Sequence, residues 1–236
     1  MAIPRITVLV SGRGSNLGAL LAAEREARLG GTVVAVISNR AAAPALGIAA
    51  AHGIATASVE SAGFAARDAF DAALGAAVDA SEPDLVVLAG FMRILGAPLV
   101  ARFEGRMLNV HPSLLPSYPG LHTHRRALAD GVRIHGCTVH FVTASLDHGP
   151  IVAQGAVPVL EADDEAALAA RVLAVEHRLL PAAVRAFCDG RLVIAGGRVR
   201  VMGELVRETA LEVPSPAALQ VIAAPEQPPG GECRNE

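Results

Sequence analysis

Lysine is missing altogether: every one of the 20 basic residues is arginine, dispersed against 23 acidic residues for a formal charge of −3. The dispersal leaves no basic stripe of the kind that releases counterions from a nucleic acid, which disfavours an RNA or DNA partner. The exclusive use of arginine points by itself to no function. Cysteine is nearly as scarce, at Cys137, Cys188 and Cys233 alone. An odd count without a close pair supports neither a disulfide framework nor a CxxC metal site, and it fits a reducing cytoplasm. The apolar start, MAIPRITVLVSG, is too short to cross a membrane and lacks the charged, apolar and small-residue zones of a secretion signal. It reads instead as the first strand of a folded domain. What the chain has in quantity is apolar side chains, 52% of 236 residues, enough for one sizeable core and by default one main domain.

Period and punctuation predict an α/β chain. RITVLVSG is a β-branched run stopped by Gly12, and SNLGALLAAEREARLG behind it has helical spacing and a glycine stop at Gly30. TVVAVISN at 32–39 and DLVVLAG at 84–90 read as strands, AARDAFDAALGAAVDA between them as a helix, and MLNVHP as a strand near 107–111. Strands apolar on both faces that alternate with helices predict a mostly parallel sheet covered on both sides. HGCTVHFV and GPIVAQGAVPV are separated by a short loop, so that edge of the sheet is expected to be antiparallel. DDEAALAARVLAVEHRLL carries acids in its first turn and predicts a helix ending before Pro181. RLVIAGGRVRV predicts a hairpin turning at Gly196 and Gly197, and the proline, glycine and polar residues from Val213 onward predict a disordered tail.

SGRGSNLGAL lies where the first strand meets its helix. Gly12 and Gly14 let the backbone turn and approach a ligand, while free N–H groups at the helix start, with the Ser15 hydroxyl and Asn16 amide, suit a phosphate. A dinucleotide fingerprint would need glycine or alanine at 17 and an acid about twenty residues on. Leu17 stands there, and the next strand ends in Ser38, Asn39 and Arg40. A small phosphate monoester is therefore preferred over NAD; the plain alternative is a turn with Ser15 as helix cap. LAGFMRIL follows a strand, on the side where open α/β sheets bind ligands. Phe91, Met92, Ile94 and Leu95 could line a pocket for a flat ring with Arg93 near an acidic group, although apolar residues in that position also serve as core.

Six of the eight histidines fall between His111 and His148. His122 and His124, or Asp147 with His148, could contribute to a metal site, but no HExxH pair exists and acid–base work is the stronger reading. In MLNVHPSLLPSYPG, Asn109 and His111 are two apart and share one side of a strand. An amide and an imidazolium N–H aimed at one oxygen make an oxyanion site. A carboxylate must keep the imidazole charged or orient it, and Asp147 in VTASLDHGP is the best placed, the alternative being an Asx turn. No GxSxG elbow supports Ser113 as a nucleophile.

GRGSN, VLAGFMRIL, LNVHPSLLPSYPGLHTHRRAL, HGCTVHFV and LDHGPIV, in that order between residues 5 and 192, together resemble the phosphoribosylglycinamide formyltransferase family. The resemblance implies a Rossmann-like formyltransferase fold; with the hairpin and tail read above, a catalytic domain is expected over 1–190, a C-terminal hairpin over 191–212 packed on it, and a disordered tail over 213–236. It implies 5-phosphoribosylglycinamide and 10-formyltetrahydrofolate as substrates, the folate acting as co-substrate, and no metal, nucleic acid or membrane. A cytoplasmic monomer or homodimer is expected.

Residue by residue, Asn109, His111 and Asp147 match the catalytic trio: His111 as general acid and oxyanion partner, Asn109 as second oxyanion donor, Asp147 as the imidazole's partner and proton relay through water. Gly14, Ser15 and Asn16, with the backbone of Leu17 and Gly18, match the phosphate loop. Glu176 matches a contact at the ribose, though spacing alone makes it a solvated carboxylate beside an apolar helix face. Arg67 and the run Met92, Arg93, Ile94 and Leu95 match folate contacts, with Asn109 beside them. A cis bond before Pro116 is also implied. His148, where the family often has glycine, and Leu173, which replaces a polar residue, depart from the pattern.

Two relatives share the chemistry. Methionyl-tRNA formyltransferase needs a basic RNA-binding domain that the residues after Arg191 do not supply, and formyltetrahydrofolate hydrolase would carry a regulatory domain before the first strand. A non-catalytic nucleotide-binding module is the rival from another class, and the trio argues against it.

Overall fold

The computed structural model describes residues 2–203. In chain order the elements are β1 (Arg5–Val10), α1 (Ser15–Arg25), β2 (Thr32–Ser38), α2 (Pro44–Ala51), β3 (Ala55–Ser58), α3 (Arg67–Asp79), β4 (Leu85–Leu88), α4 (Ala97–Arg102) and β5 (Met107–His111). Then follow α5 (Thr123–Ala129), β6 (Ile134–Phe141), β7 (Ile151–Pro158), α6 (Glu165–Cys188), β8 (Leu192–Ala195) and β9 (Arg198–Val201). Seven strands form one sheet in the order β3-β2-β1-β4-β5-β6-β7. The first five are mutually parallel, β6 pairs antiparallel with β5 and β7 antiparallel with β6, so the expected antiparallel edge is present.

Alternation along each strand sorts the core into two layers. Ile6, Val8 and Val10 pack with Leu17 and Leu20 of α1 and with Leu180 and Val184 of α6. Leu9, Val86 and Leu88 face the other way, against Phe70 and Leu74 of α3 and Leu99 of α4. Met107 belongs to this second layer, so Asn109 and His111, two and four residues further, look toward the same side at the strand's carboxyl end. The order β2-β1-β4 also puts the topological switch point between β1 and β4, where open α/β sheets form a ligand crevice.

Three expectations need correction. Helix α1 ends at Arg25 rather than running to Gly30, because Ala27 takes a positive φ of 55° that breaks the helix. Helix α6 does not stop before Pro181 but carries it inside, ending at Cys188. Leu180, Ala183 and Val184 are all buried in the first core layer, and that burial offsets the hydrogen bond proline cannot donate. Three helices and the edge strand β3 occupy segments where sequence periodicity assigned none: α2, α4 and α5 are six to eight residues long. The hairpin turns at Gly196 and Gly197, both with positive φ. Residues 204–212, expected to complete it, and the tail expected over 213–236 lie outside the described residues.

Candidate active site

Two cavities open at the carboxyl ends of the central strands. The larger, about 490 Å³, lies between the loops after β1, β2 and β4 and is lined by Arg13, Gly14, Ser15, Asn16, Arg40 and Met92. The narrower, about 80 Å³, is lined by Arg93, Ile94, Leu95, Asn109, His140 and Asp147. Gly90 and Met92 face the first and Phe91 and Arg93 the second, so the loop after β4 is the wall between them.

The loop after β1 turns at Gly14, which has φ +82° and lies so close to α2 that an added Cβ would sit 2.7 Å from the Ala45 Cβ. Glycine is the one residue that satisfies both demands. The turn presents the start of α1, whose first N–H groups, on Ser15, Asn16 and Leu17, have no intrahelical acceptor. Gly18, expected to hold the phosphate with them, instead spends its N–H on the Gly14 carbonyl at 2.9 Å. The Asn16 amide donates to Glu176 Oε2 at 2.7 Å, and Asn16 Oδ1 is buried without a partner among the described residues. Glu176 is only 6% exposed, which overturns its reading as a solvated surface carboxylate: α6 packs under the loop and carries it inward. Burial raises its pKa, with the Asn16 hydrogen bond acting against that.

At the end of β5 the register of the antiparallel pair sets Asn109 directly opposite His140. His140 Nδ1 lies 2.9 Å from the Phe141 carbonyl, which can only accept, so that nitrogen bears the proton. Burial lowers the His140 pKa and keeps the ring neutral. Nε2 is then an acceptor, and it takes a hydrogen bond from Asn109 Nδ2 at 3.1 Å. One amide N–H is thereby fixed and the other is left to point elsewhere.

The same logic orients His111: Nε2 donates to the Tyr118 carbonyl at 2.9 Å, leaving Nδ1 3.5 Å from Asp147 Oδ2. Asp147, in the loop between β6 and β7, is held by the Gly120 N–H at 2.8 Å and has a left-handed φ of 52°. Aspartate is among the few non-glycine residues that adopt this conformation readily. The Leu115–Pro116 bond that precedes this contact region is cis.

The structure brings His111 Nδ1 and Asp147 Oδ2 to 3.5 Å and sets Asn109 and Asp147 3.1 Å and 3.9 Å from His140 Nε2, with Arg93, Ile94 and Leu95 on the adjoining cavity. It places Met92 on the other cavity, 69% exposed, and Arg67 on the lining of neither, its Nε 3.6 Å from Asp71 Oδ2. His148 is exposed and Leu173 half-buried. Sequence reasoning did not single out His140; the signal that could have found it is the antiparallel register of β5 and β6. His124 and His135 pair with each other at 3.2 Å, and among the described residues no three His, Cys, Asp or Glu side chains are grouped to hold a metal ion. No helix among them is long and apolar enough to cross a membrane.

Comparison with known proteins places these features in context. The family described as Formyl transferase matches residues 4–184. Phosphoribosylglycinamide formyltransferase of Escherichia coli K12 is 50% identical over 187 residues, 79% of this chain and 88% of the relative. The enzyme of that name from Mycobacterium tuberculosis H37Rv is 48% identical over 205 residues, 86% and 93% of the two chains. The crystal structure of glycinamide ribonucleotide transformylase 1 from Symbiobacterium toebii superposes with a TM-score of 0.83 at 51% identity, over 85% of this chain and 95% of that one.

Proposed function

The chain belongs to the formyl transferase family, and from that premise we propose that it transfers the formyl group of 10-formyltetrahydrofolate to the primary amine of 5-phosphoribosylglycinamide, a step of purine biosynthesis. The observation that carries the reading is the approach of His111 Nδ1 to Asp147 Oδ2 at 3.5 Å, beside a cavity that Asn109 also lines. A donor amide, a titratable imidazole and a carboxylate meet there, with an anion-suited helix start across one loop.

Ser15, Asn16 and Leu17 offer their N–H groups to the substrate phosphate, and Glu176 with Asn16 faces the ribose. Arg93, Ile94 and Leu95 bound the folate ring. The nucleotide amine attacks the formyl carbon directly, so no covalent enzyme intermediate forms. The free N–H of Asn109 and the protonated Nδ1 of His111 hold the oxyanion as the carbon becomes tetrahedral. Asp147 stabilises the imidazolium and passes the proton lost by the amine, through water, toward the departing folate nitrogen. No step calls for a metal, and the reaction suits a cytoplasmic monomer or homodimer acting on small molecules.

The test is to follow folate release from 10-formyltetrahydrofolate with phosphoribosylglycinamide, with initiator tRNA, and with water alone. Release that depends on phosphoribosylglycinamide is the expected result. Release triggered by tRNA or by water alone would reassign the acceptor.

A further inference from the structure

A buried carboxylate outside the catalytic trio is left without a task. Asp71 of α3 is 7% exposed, and one of its oxygens, Oδ1, has no partner among the described residues. Burying a carboxylate so poorly satisfied costs stability, so packing alone does not account for it. Its other oxygen accepts the Gly96 N–H at 2.8 Å and faces Arg67 Nε at 3.6 Å.

Gly96 closes the loop after β4, where the chain enters α4. That loop is held at three points. Near its start the Met92 N–H donates to Ser11 Oγ at 2.8 Å, and Ser11 belongs to the loop on the nucleotide side. In the middle the Arg93 guanidinium lies 5.6 Å over the Phe70 ring of α3. At its end stands Asp71. The residues between the first and last anchors, Arg93, Ile94 and Leu95, are those that line the narrower cavity.

We infer that Asp71 is a positioning residue which, through the Gly96 N–H, sets the wall of the folate-side cavity and with it the affinity for the formyl donor. The inference rests on the proposed reaction for the identity of that donor. Asp71 lines neither cavity, so its effect reaches the ligand through its two neighbours, the Gly96 N–H of the loop and Arg67, and substitution of Gly96 singles out the first. Gly96 is built for this contact: its φ of −73° suits any residue, yet a Cβ there would lie 2.5 Å from Asp71 Oδ2. The glycine is required by the carboxylate and not by the backbone.

Substitution at either end makes the test. Asp71→Ala is expected to raise KM for 10-formyltetrahydrofolate about tenfold while kcat and the nucleotide KM stay within about twofold. Asp71→Asn keeps an acceptor for the Gly96 N–H and is expected to recover most of the loss. Gly96→Ala, conformationally harmless by itself, is expected to reproduce the Asp71→Ala pattern, and it decides the matter alone if Asp71→Ala does not fold. An unchanged folate KM in a folded variant, or equal rises in both KM values with a fall in kcat, would overturn the inference. Calorimetric titration with 5-formyltetrahydrofolate, whose formyl group is on a different nitrogen, keeps the two readings apart. A native protein that binds this folate but transfers nothing, with binding weakened in Gly96→Ala, sinks the proposed reaction and leaves the anchor standing.

Discussion

At the scale of single residues, the site depends on which nitrogen of which histidine carries a proton. His140 is locked with hydrogen on Nδ1 by the Phe141 carbonyl, so Nε2 can hold the Asn109 amide in one orientation. Protonating His140 would turn that acceptor into a donor facing an NH2 group, and burial, which lowers its pKa, works against this. Loss of one oxyanion donor typically costs 10²–10³ in rate. Asn109→Ala and His111→Ala are each expected to lose at least that much in kcat with nearly normal nucleotide binding. His140→Ala, which frees the amide to rotate without removing it, is expected to lose less, about tenfold, with the nucleotide KM kept. Steady-state kinetics on the three variants checks the ranking, and a His140→Ala enzyme with native kcat would remove the orienting role. Asn109 and His111 were legible in sequence because strand side chains repeat every two residues, and Asp147 because its loop ends a neighbouring strand. His140 was not, because it meets Asn109 through a register between residues 31 apart, and no local pattern states a register. Spacing alone would leave Glu176 in solvent for a related reason: it shows an apolar helix face but not that the carboxylate beside it is buried and bonded to Asn16 of α1.

At the scale of elements, long strongly periodic segments declared themselves and short ones did not. The runs that became β1, β2, β4, β5, β6 and β7 are largely apolar, with glycine or proline near at least one end of each, so the sheet's parallel body and antiparallel edge could be read from them. Helices α4 and α5, six and seven residues long, complete fewer than two turns and so present no periodicity to detect. Pro181 shows a local rule yielding to packing. The missing N–H and the ring clash disfavour proline in a helix interior by about 3 kcal/mol, yet α6 continues because the residues around it fill the first core layer. Pro181→Ala restores the donor and loses ring carbons from a buried position, each buried methylene being worth about 0.8 kcal/mol. The helical gain exceeds the packing loss by about 1 kcal/mol, so the variant is expected to melt about 2–4 °C higher with unchanged kcat. A lower Tm in a calorimetric scan would show that the ring's packing outweighs the hydrogen bond.

At the scale of the whole molecule, burial of histidine makes stability depend on acidity. His124, His135, His140 and His177 all have pKa values lowered chiefly by burial, and His135, 1% exposed, is pushed down from 6.5 to about 4. A histidine whose folded pKa lies below its unfolded value takes its proton first in the unfolded chain. Stability is therefore full above pH 6.5 and is lost as pH falls through the window toward 4. Glu24 and Glu176, with pKa values raised by burial, act with the opposite sign, because their protons bind first to the folded state. They blunt the acid loss. For His135 alone the ceiling is about 3 kcal/mol, which is roughly 6–12 °C in Tm for a chain of this size. Its closeness to His124, at 3.2 Å, ties the two titrations together, so His135→Phe should remove a share of both. Melting curves collected from pH 7.5 down to 5 are expected to fall steeply for the native chain and more gently for His135→Phe, even though the variant starts from a lower Tm after losing the His124 hydrogen bond. Parallel curves for the two proteins would mean that the acid sensitivity resides elsewhere.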